Sequence, residues 1–211
     1  MAYLIGDKDS AVVILGTGGF AVELGGLLLA EGRRLIGFVG DSPKRSLPAE
    51  WLGTDDIIGA LPNSLSVLVA IGNPQIRRQV SQKLNQHDIQ LGIFKHSKAY
   101  VSNDVQLKAG CVIYPHATVH TGVSLQKGVL INSNATVGHE THIGAYTSIG
   151  PGVSIGGRCI FGEEIYVGIG ASSIERIKIV AKTVLGAGAV VVSNIEEPGT
   201  YIGIPARRRI F

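Results

Sequence analysis

Hydrophobic residues follow two different patterns along the chain, and the pattern changes near residue 97. Before that point, apolar runs of strand length alternate with glycine turns and with segments of helical spacing. The predicted strands are Ala11–Leu15, Leu35–Val39, Leu65–Ile71 and Gln90–Phe94, and the predicted helices are Ala21–Glu31 and residues 75–86. This order of strand, glycine turn, helix and strand predicts a parallel α/β unit, here a short Rossmann-like domain.

After residue 97 a large apolar residue recurs at every sixth position. The series is Val101, Leu107, Ile113, Val119, Leu125, Ile131, Val137, Ile143, Ile149, Ile155, Phe161, Val167, Ser173, Ile179, Leu185 and Val191. Fifteen of these sixteen positions are apolar, and Ser173 leaves the phase unchanged. A period of six fits neither a helix nor a single strand. It predicts short strands joined by turns and stacked as the coils of a parallel β-helix.

These two patterns divide the chain into an α/β domain at residues 1–96 and an all-β domain at residues 97–211. The 29 glycines among 211 residues suit the many tight turns of a β-helix. A net charge of +3 without a concentrated basic face does not favour nucleic-acid binding. Because the chain has no long apolar stretch and two cysteines, we expect a cytoplasmic protein with reduced thiols that does not bind a membrane.

The first glycine turn, Gly16–Gly19, lacks the third glycine of a dinucleotide fingerprint, so the case for a nicotinamide cofactor is weak. The turn is either a tight βα connection or an anion site made by backbone N–H groups at the start of the helix. Asp41 follows the next strand, where it is either a turn residue or a hydrogen-bond acceptor for a base or sugar.

Among the six histidines, His139 is distinguished by the carboxylate of Glu140 directly after it. A neutral imidazole accepts a proton near neutral pH, and a carboxylate bonded to its other nitrogen fixes the tautomer. His142 is three residues away, and no third histidine stands at a spacing that would complete a zinc site. We therefore expect no metal. Cys111 and Cys159 fall on small, inward positions of the repeat and are expected to be buried rather than nucleophilic.

Four motifs stand in a characteristic order along the chain: Gly16–Gly19, Ala70–Asn73, Ile131–Ser133 leading to Val137–Glu140, and Gly203–Arg207. With these motifs the whole chain resembles the NeuD/PglD-like branch of the hexapeptide acyltransferase superfamily. It implies a left-handed β-helix, a homotrimer, and transfer of an acetyl group from acetyl-CoA. The expected acceptor is the amino group of a nucleotide-activated sugar, such as a 4-amino-4,6-dideoxy sugar. O-acetylation of a hydroxyl, as on sialic acid, is the alternative, and a catalytically silent scaffold that binds sugar nucleotides is a rival of another class.

The resemblance also implies roles for individual residues. His139 would be the general base and Glu140 its partner. Substrate binding would fall to Gly18, Gly19, Phe20, Asp41, Gly72 and Asn73, and cofactor binding to Ser148, Gly157, Ile169 and Ala187. Phe20 and Ser148 stand where this branch often has histidine, which changes the expected contacts with sugar and cofactor. Arg176, Lys178 and Lys182 are either neighbours of the CoA phosphates or solvated charges.

Overall fold

A computed structural model describes residues 10–209 of the chain. Its first part is a parallel four-stranded sheet with helices packed against it. The strands are β1 (Val12–Leu15), β2 (Leu35–Val39), β3 (Glu50–Gly53) and β4 (Ser66–Val69), in the order β3-β2-β1-β4. The helices are α1 (Gly19–Ala30), α2 (Pro74–Gln86) and a short 3-10 helix (Asp55–Ala60). The α/β class predicted for this part is confirmed.

One edge of this sheet differs from the prediction. The fourth strand is Glu50–Gly53, a short and largely exposed segment beside β2, and not Gln90–Phe94. Leu91 makes a single bridge to Val67, and the chain then leaves the sheet. Phe94–Lys95 does form a strand, β5, but it pairs with the β-helix.

The second part is a left-handed parallel β-helix with three flat faces. The first face contains β5 (Phe94–Lys95), β8 (Val112–Ile113), β11 (Leu130–Ile131), β14 (Ser148–Ile149), β17 (Tyr166–Val167), β20 (Val184–Leu185), β22 (Thr200–Ile202) and β23 (Arg207–Arg208). The second face contains β6 (Tyr100–Val101), β9 (Thr118–Val119), β12 (Thr136–Val137), β15 (Ser154–Ile155), β18 (Ser172–Ser173) and β21 (Val190–Val191). The third face contains β7 (Gln106–Leu107), β10 (Ser124–Leu125), β13 (His142–Ile143), β16 (Ile160–Phe161) and β19 (Lys178–Ile179).

Residues 18 positions apart stack directly on one another, as Ile131, Ile149 and Val167 do on the first face. From β8 to β21 the second residue of each two-residue strand belongs to the sixfold series, and from Ile113 to Val191 every apolar member of that series is buried. These side chains form one continuous core along the helix axis. The period of six and the inward positions predicted from it are therefore confirmed. The last strand, β23, turns back antiparallel to β22.

The α/β part packs on the first face of the β-helix. Leu24 and Leu28 of α1 share a core with Val112, Tyr114 and Leu130, which project outward from that face or its edge. Because α1 and α2 cover this face, the corner between the second and third faces lies on the far side of the β-helix. That corner carries residues 138–141 and 156–159.

Candidate active site

A pocket of about 580 Å³ lies at the carboxyl ends of β1 and β4. Gly18, Gly19, Phe20, Asp41 and Gly72 line it, so the structure brings five of the six predicted substrate-binding residues together. The turn requires glycine at Gly16, whose φ is +120° and whose absent Cβ would lie 2.7 Å from the carbonyl oxygen of Ala70. Gly18 is the N-cap of α1 and offers no side-chain cap, which leaves the helix N-terminus available to a ligand in the pocket.

The pocket wall also contains Lys44 and Arg45, which the sequence reasoning did not single out. Both lie in the connection between β2 and β3. The guanidinium of Arg45 comes within 3.2 Å of the point that a Cβ on Gly19 would occupy, so it lies directly over the start of α1. Two cations and a helix N-terminus facing one space make a site suited to an anionic group. A basic pair just after a predicted strand is the signal that would have indicated it.

Asn73, the sixth predicted substrate residue, has a structural role. Its side-chain oxygen accepts hydrogen bonds from the backbone N–H groups of Gln75 at 2.9 Å and Ile76 at 3.2 Å, which caps α2. Pro74 follows at the first helical position, where a missing N–H costs nothing. Asn73 lines a separate cleft of about 480 Å³ between the start of α2 and the first face.

Arg77 of α2 fastens the α/β part to the β-helix. It is 2 % exposed, and burial lowers its pKa to about 10, so it remains charged at neutral pH. Its guanidinium donates to the carbonyls of Ile71, Gly72, Gly128 and Tyr146 and to the hydroxyl of Ser148. The hydroxyl of Ser148 in turn donates to the Gly72 carbonyl at 3.1 Å. Ser148, predicted as a cofactor contact, therefore lies buried at this junction with both of its bonds directed into the α/β part.

His139 and Glu140 occupy the corner between the second and third faces, just after β12. The Nδ1 atom of His139 lies 2.9 Å from Oε2 of Glu140, and both side chains are about half exposed. Glu140 has a φ of +57°, and this left-handed bend turns its carboxylate back toward the preceding ring. The same oxygen accepts a hydrogen bond from Nε of Arg158 at 2.8 Å. The Arg158 bond, followed by the His139 bond, lowers the pKa of Glu140 below its ordinary value.

Gly157 lies one coil beyond His139 and directly beneath its ring. A Cβ at Gly157 would stand 2.6 Å from Nε2, 2.8 Å from Cδ2 and 2.9 Å from Cε1 of the imidazole. The absence of a side chain at Gly157 therefore allows the ring to lie against the backbone of the next coil. With Nδ1 directed at Glu140, the Nε2 atom is left to act on another molecule.

Ile169 and Ala187 lie at a different corner, between the first and second faces, where they stack one coil apart and are exposed. Within one chain the predicted cofactor residues are therefore split between two corners. Arg176, Lys178 and Lys182 are also separated, since each lies on a different corner or face. His142 projects outward from the third face, next to the corner that carries His139.

The cysteines do not offer a second reactive centre. Both cysteines are buried, and burial raises the pKa of Cys111 to about 12, which disfavours a reactive thiolate there. Among residues 10–209, no cluster of three or more His, Cys, Asp or Glu side chains is arranged to hold a metal ion. None of the helices within that range combines the length and apolar character needed to cross a bilayer.

Residues 11–84 match the sequence profile of the PglD N-terminal domain. The acetyltransferase domain of PglB from Neisseria gonorrhoeae, solved with acetyl coenzyme A, is 30 % identical, with a TM-score of 0.90 over 95 % of this chain and 100 % of that one. A mutant of perosamine N-acetyltransferase from Caulobacter crescentus, solved with CoA and GDP-perosamine, is 29 % identical, with a TM-score of 0.91 over 100 % of both chains. WeeI from Acinetobacter baumannii shares the fold, at 21 % identity and a TM-score of 0.85 over 94 % of this chain and 99 % of that one.

Proposed function

Because this chain belongs to the NeuD/PglD-like family of hexapeptide-repeat sugar acetyltransferases, and is thus an acyltransferase, we propose that it acetylates the amino group of a nucleotide-activated sugar. Acetyl-CoA is the proposed donor. The observation that carries the proposal is the full-length likeness to an N-acetyltransferase solved with both CoA and a sugar nucleotide, GDP-perosamine. A 4-amino-4,6-dideoxy sugar or a related amino sugar is the acceptor we favour.

We assign the nucleotide-sugar to residues 1–96 and the acetyl-CoA site to residues 97–211. The pocket at the glycine turns supports the first assignment, because the α1 N-terminus with Lys44 and Arg45 suits the negative charge of a diphosphate. Asp41, on the same wall, can accept hydrogen bonds from a base or a sugar hydroxyl. Phe20 adds an aromatic surface where the family often has histidine, and it packs at 5.7 Å between ring centres against Tyr114.

His139 is the proposed general base. In this mechanism the amine nitrogen attacks the carbonyl carbon of the thioester while Nε2 of His139 takes a proton from that nitrogen. The tetrahedral intermediate then collapses, the carbon–sulfur bond breaks, and the departing sulfur takes the proton from the imidazolium of His139, so coenzyme A leaves as the thiol. Glu140 supports this role, because its bond to Nδ1 favours the tautomer whose Nε2 is unprotonated and stabilises the imidazolium that forms.

The site requires a second copy of the chain. His139 lies on the corner that does not border the first face, whereas the nucleotide pocket belongs to the α/β part that covers that face. Neighbouring subunits of a homotrimer would bring His139 and Gly157 of one chain opposite Ile169 and Ala187 of another, with acetyl-CoA between them. The Ser148 hydroxyl bonds Arg77 and the Gly72 carbonyl at the junction of the two parts. We therefore propose that Ser148 affects acetyl-CoA binding only indirectly, by holding the two parts together. Sedimentation at assay concentration tests the assembly, and an active monomer would contradict it.

Release of coenzyme A from acetyl-CoA, measured across a panel of nucleotide-linked amino sugars, tests the function. The matched control is each amino sugar without its nucleotide. We expect turnover on at least one nucleotide-linked acceptor and a kcat/KM at least about tenfold lower on its free sugar, because the pocket contacts to the nucleotide would be lost. Equal kcat/KM values would remove the α/β pocket from the proposal. Because both cysteines are free thiols in the structure, as is usual in a reducing compartment, we propose that the enzyme acts in the cytoplasm.

A further inference from the structure

Arg158 forms the third member of the group around the proposed base. A single oxygen, Oε2 of Glu140, accepts hydrogen bonds from Nδ1 of His139 at 2.9 Å and from Nε of Arg158 at 2.8 Å. Resting on the proposed function, we propose that Arg158 is a positioning residue that keeps the His139–Glu140 pair in its base-competent form. It acts through Glu140 and not on the substrate.

The β-helix fixes Arg158 in this position through the stacking of its coils. Arg158 follows Glu140 by 18 residues, so it lies on the same corner one coil further along. Its backbone N–H donates to the carbonyl oxygen of His139 at 2.7 Å, which ties the two coils together beside the ring. Its φ is +60°, a conformation that glycine or asparagine adopts more readily than arginine. The backbone conformation at this position does not favour arginine, so the local role of Arg158 lies in the hydrogen bond that its side chain donates to Glu140.

The permanent charge of Arg158 has two consequences for the base. Its hydrogen bond is the largest cause of the lowered pKa of Glu140, so the carboxylate stays ionised and accepts a hydrogen bond from the Nδ1–H group of His139. In addition, an imidazolium would have to share that carboxylate with a guanidinium, which disfavours protonation of the ring. The first effect holds the tautomer that leaves a free lone pair on Nε2, and the second favours the neutral ring. The other titratable or charged side chains on or beside this corner are Asp104, His120, His142, Cys159, Glu175, Arg176 and Lys178.

The test compares the pH dependence of kcat in Arg158→Gln and Arg158→Lys at saturating concentrations of both substrates. Glutamine removes the charge and keeps a donor, so we expect the acidic limb of the profile to move up by about 0.3–0.7 pH unit, the range that a partly exposed charge pair supports. The loss in kcat should be about two- to fivefold on that limb and should disappear at high pH. Lysine keeps the charge and should restore most of the wild-type profile.

Arg176→Gln is the matched control, since Arg176 lies one coil beyond Arg158 on the same corner with a φ of +61°. Its acidic limb should coincide with that of wild type, whatever happens to the KM for acetyl-CoA. Titration of the His139 ring by NMR gives a readout without turnover, and its midpoint should rise in Arg158→Gln. Suppose that His139→Ala is inactive, but that Arg158→Gln keeps the wild-type acidic limb of the kcat profile and the wild-type NMR midpoint. The role of Arg158 is then refuted, and the proposed function still stands. Full activity in His139→Ala would instead refute the assignment of the base.

Discussion

Replacing Gly157 with alanine is expected to displace the ring of His139, the proposed base, while leaving the fold intact. The new Cβ would stand 2.6 Å from Nε2 of His139. Carbon contacts settle at about 3.5 Å, so the imidazole would have to move by about 0.9 Å. The backbone of Gly157 does not require glycine, because its φ lies outside the left-handed range. The clash is therefore relieved by movement of the half-exposed His139 side chain, and the core does not have to move.

A misplacement of about 1 Å in a reacting group costs on the order of 10² in rate. We therefore expect Gly157→Ala to lower kcat by roughly 30- to 300-fold, equivalent to about 2–3.4 kcal/mol in the barrier. The melting temperature should fall by no more than about 3 °C, as for a change of less than about 1 kcal/mol. Coenzyme A release at saturating substrates and thermal unfolding are the two assays.

Gly144→Ala provides the contrasting variant. Its Cβ would lie 2.4 Å from backbone atoms of Gly162 in the next coil, which cannot move as freely as a side chain. We expect a clear loss of melting temperature in Gly144→Ala and a loss of kcat without such a drop in Gly157→Ala. If Gly157→Ala keeps kcat within about twofold of wild type, the ring does not need its present position and the geometric argument is wrong.

Three further changes test the base, the core and the junction. His139→Ala should lower kcat about 10²–10⁴-fold at neutral pH with both substrates still bound, and Glu140→Ala should cost less. High pH should partly rescue His139→Ala, because more of the acceptor is then neutral amine and solvent base can take the proton released on attack. Activity retained in His139→Ala at neutral pH would point to His142 instead. Ile149→Asp buries a charge in the core and should abolish soluble, folded protein, whereas wild-type heat resistance would refute the inward register. Arg77→Met leaves four carbonyls and the Ser148 hydroxyl without their donor and should lower the free energy of unfolding by about 3–5 kcal/mol. An unchanged melting temperature would contradict this.

The fold was predictable wherever a physical period governed the sequence. The inward positions from Ile113 to Val191 follow from the spacing of six alone, because each coil repeats the same packing. The edge strand Glu50–Gly53 carried no such signal, since it is short and half exposed and has no alternation of apolar residues. For Phe94–Lys95, apolar character predicted a strand but could not tell which of two parallel sheets it would join.

The candidate site was predictable in part. His139 and Glu140 are adjacent in sequence, but their contact depends on a left-handed bend at Glu140 that residue types alone do not indicate. Gly157 beneath the ring and Arg158 beside the carboxylate follow from the 18-residue coil, a spacing that could have been applied to the sequence directly. The hydrogen bond from Arg77 to Ser148 could not be predicted from the sequence, because it depends on how two separate parts of the chain pack together.

The measurement that tests the central claim most directly is acetyl transfer to one nucleotide sugar with an amino group at C4, compared with its 4-hydroxyl counterpart. Both acceptors carry the same nucleotide, so they should bind the pocket at the glycine turns equally well. The products are identified by mass spectrometry and by their resistance to mild base, which cleaves an ester and leaves an amide. We expect one base-stable acetyl group on the amino sugar and turnover at least about 10³-fold lower on the hydroxyl sugar. Faster formation of a base-labile ester on the hydroxyl sugar would contradict the account and identify an O-acetyltransferase.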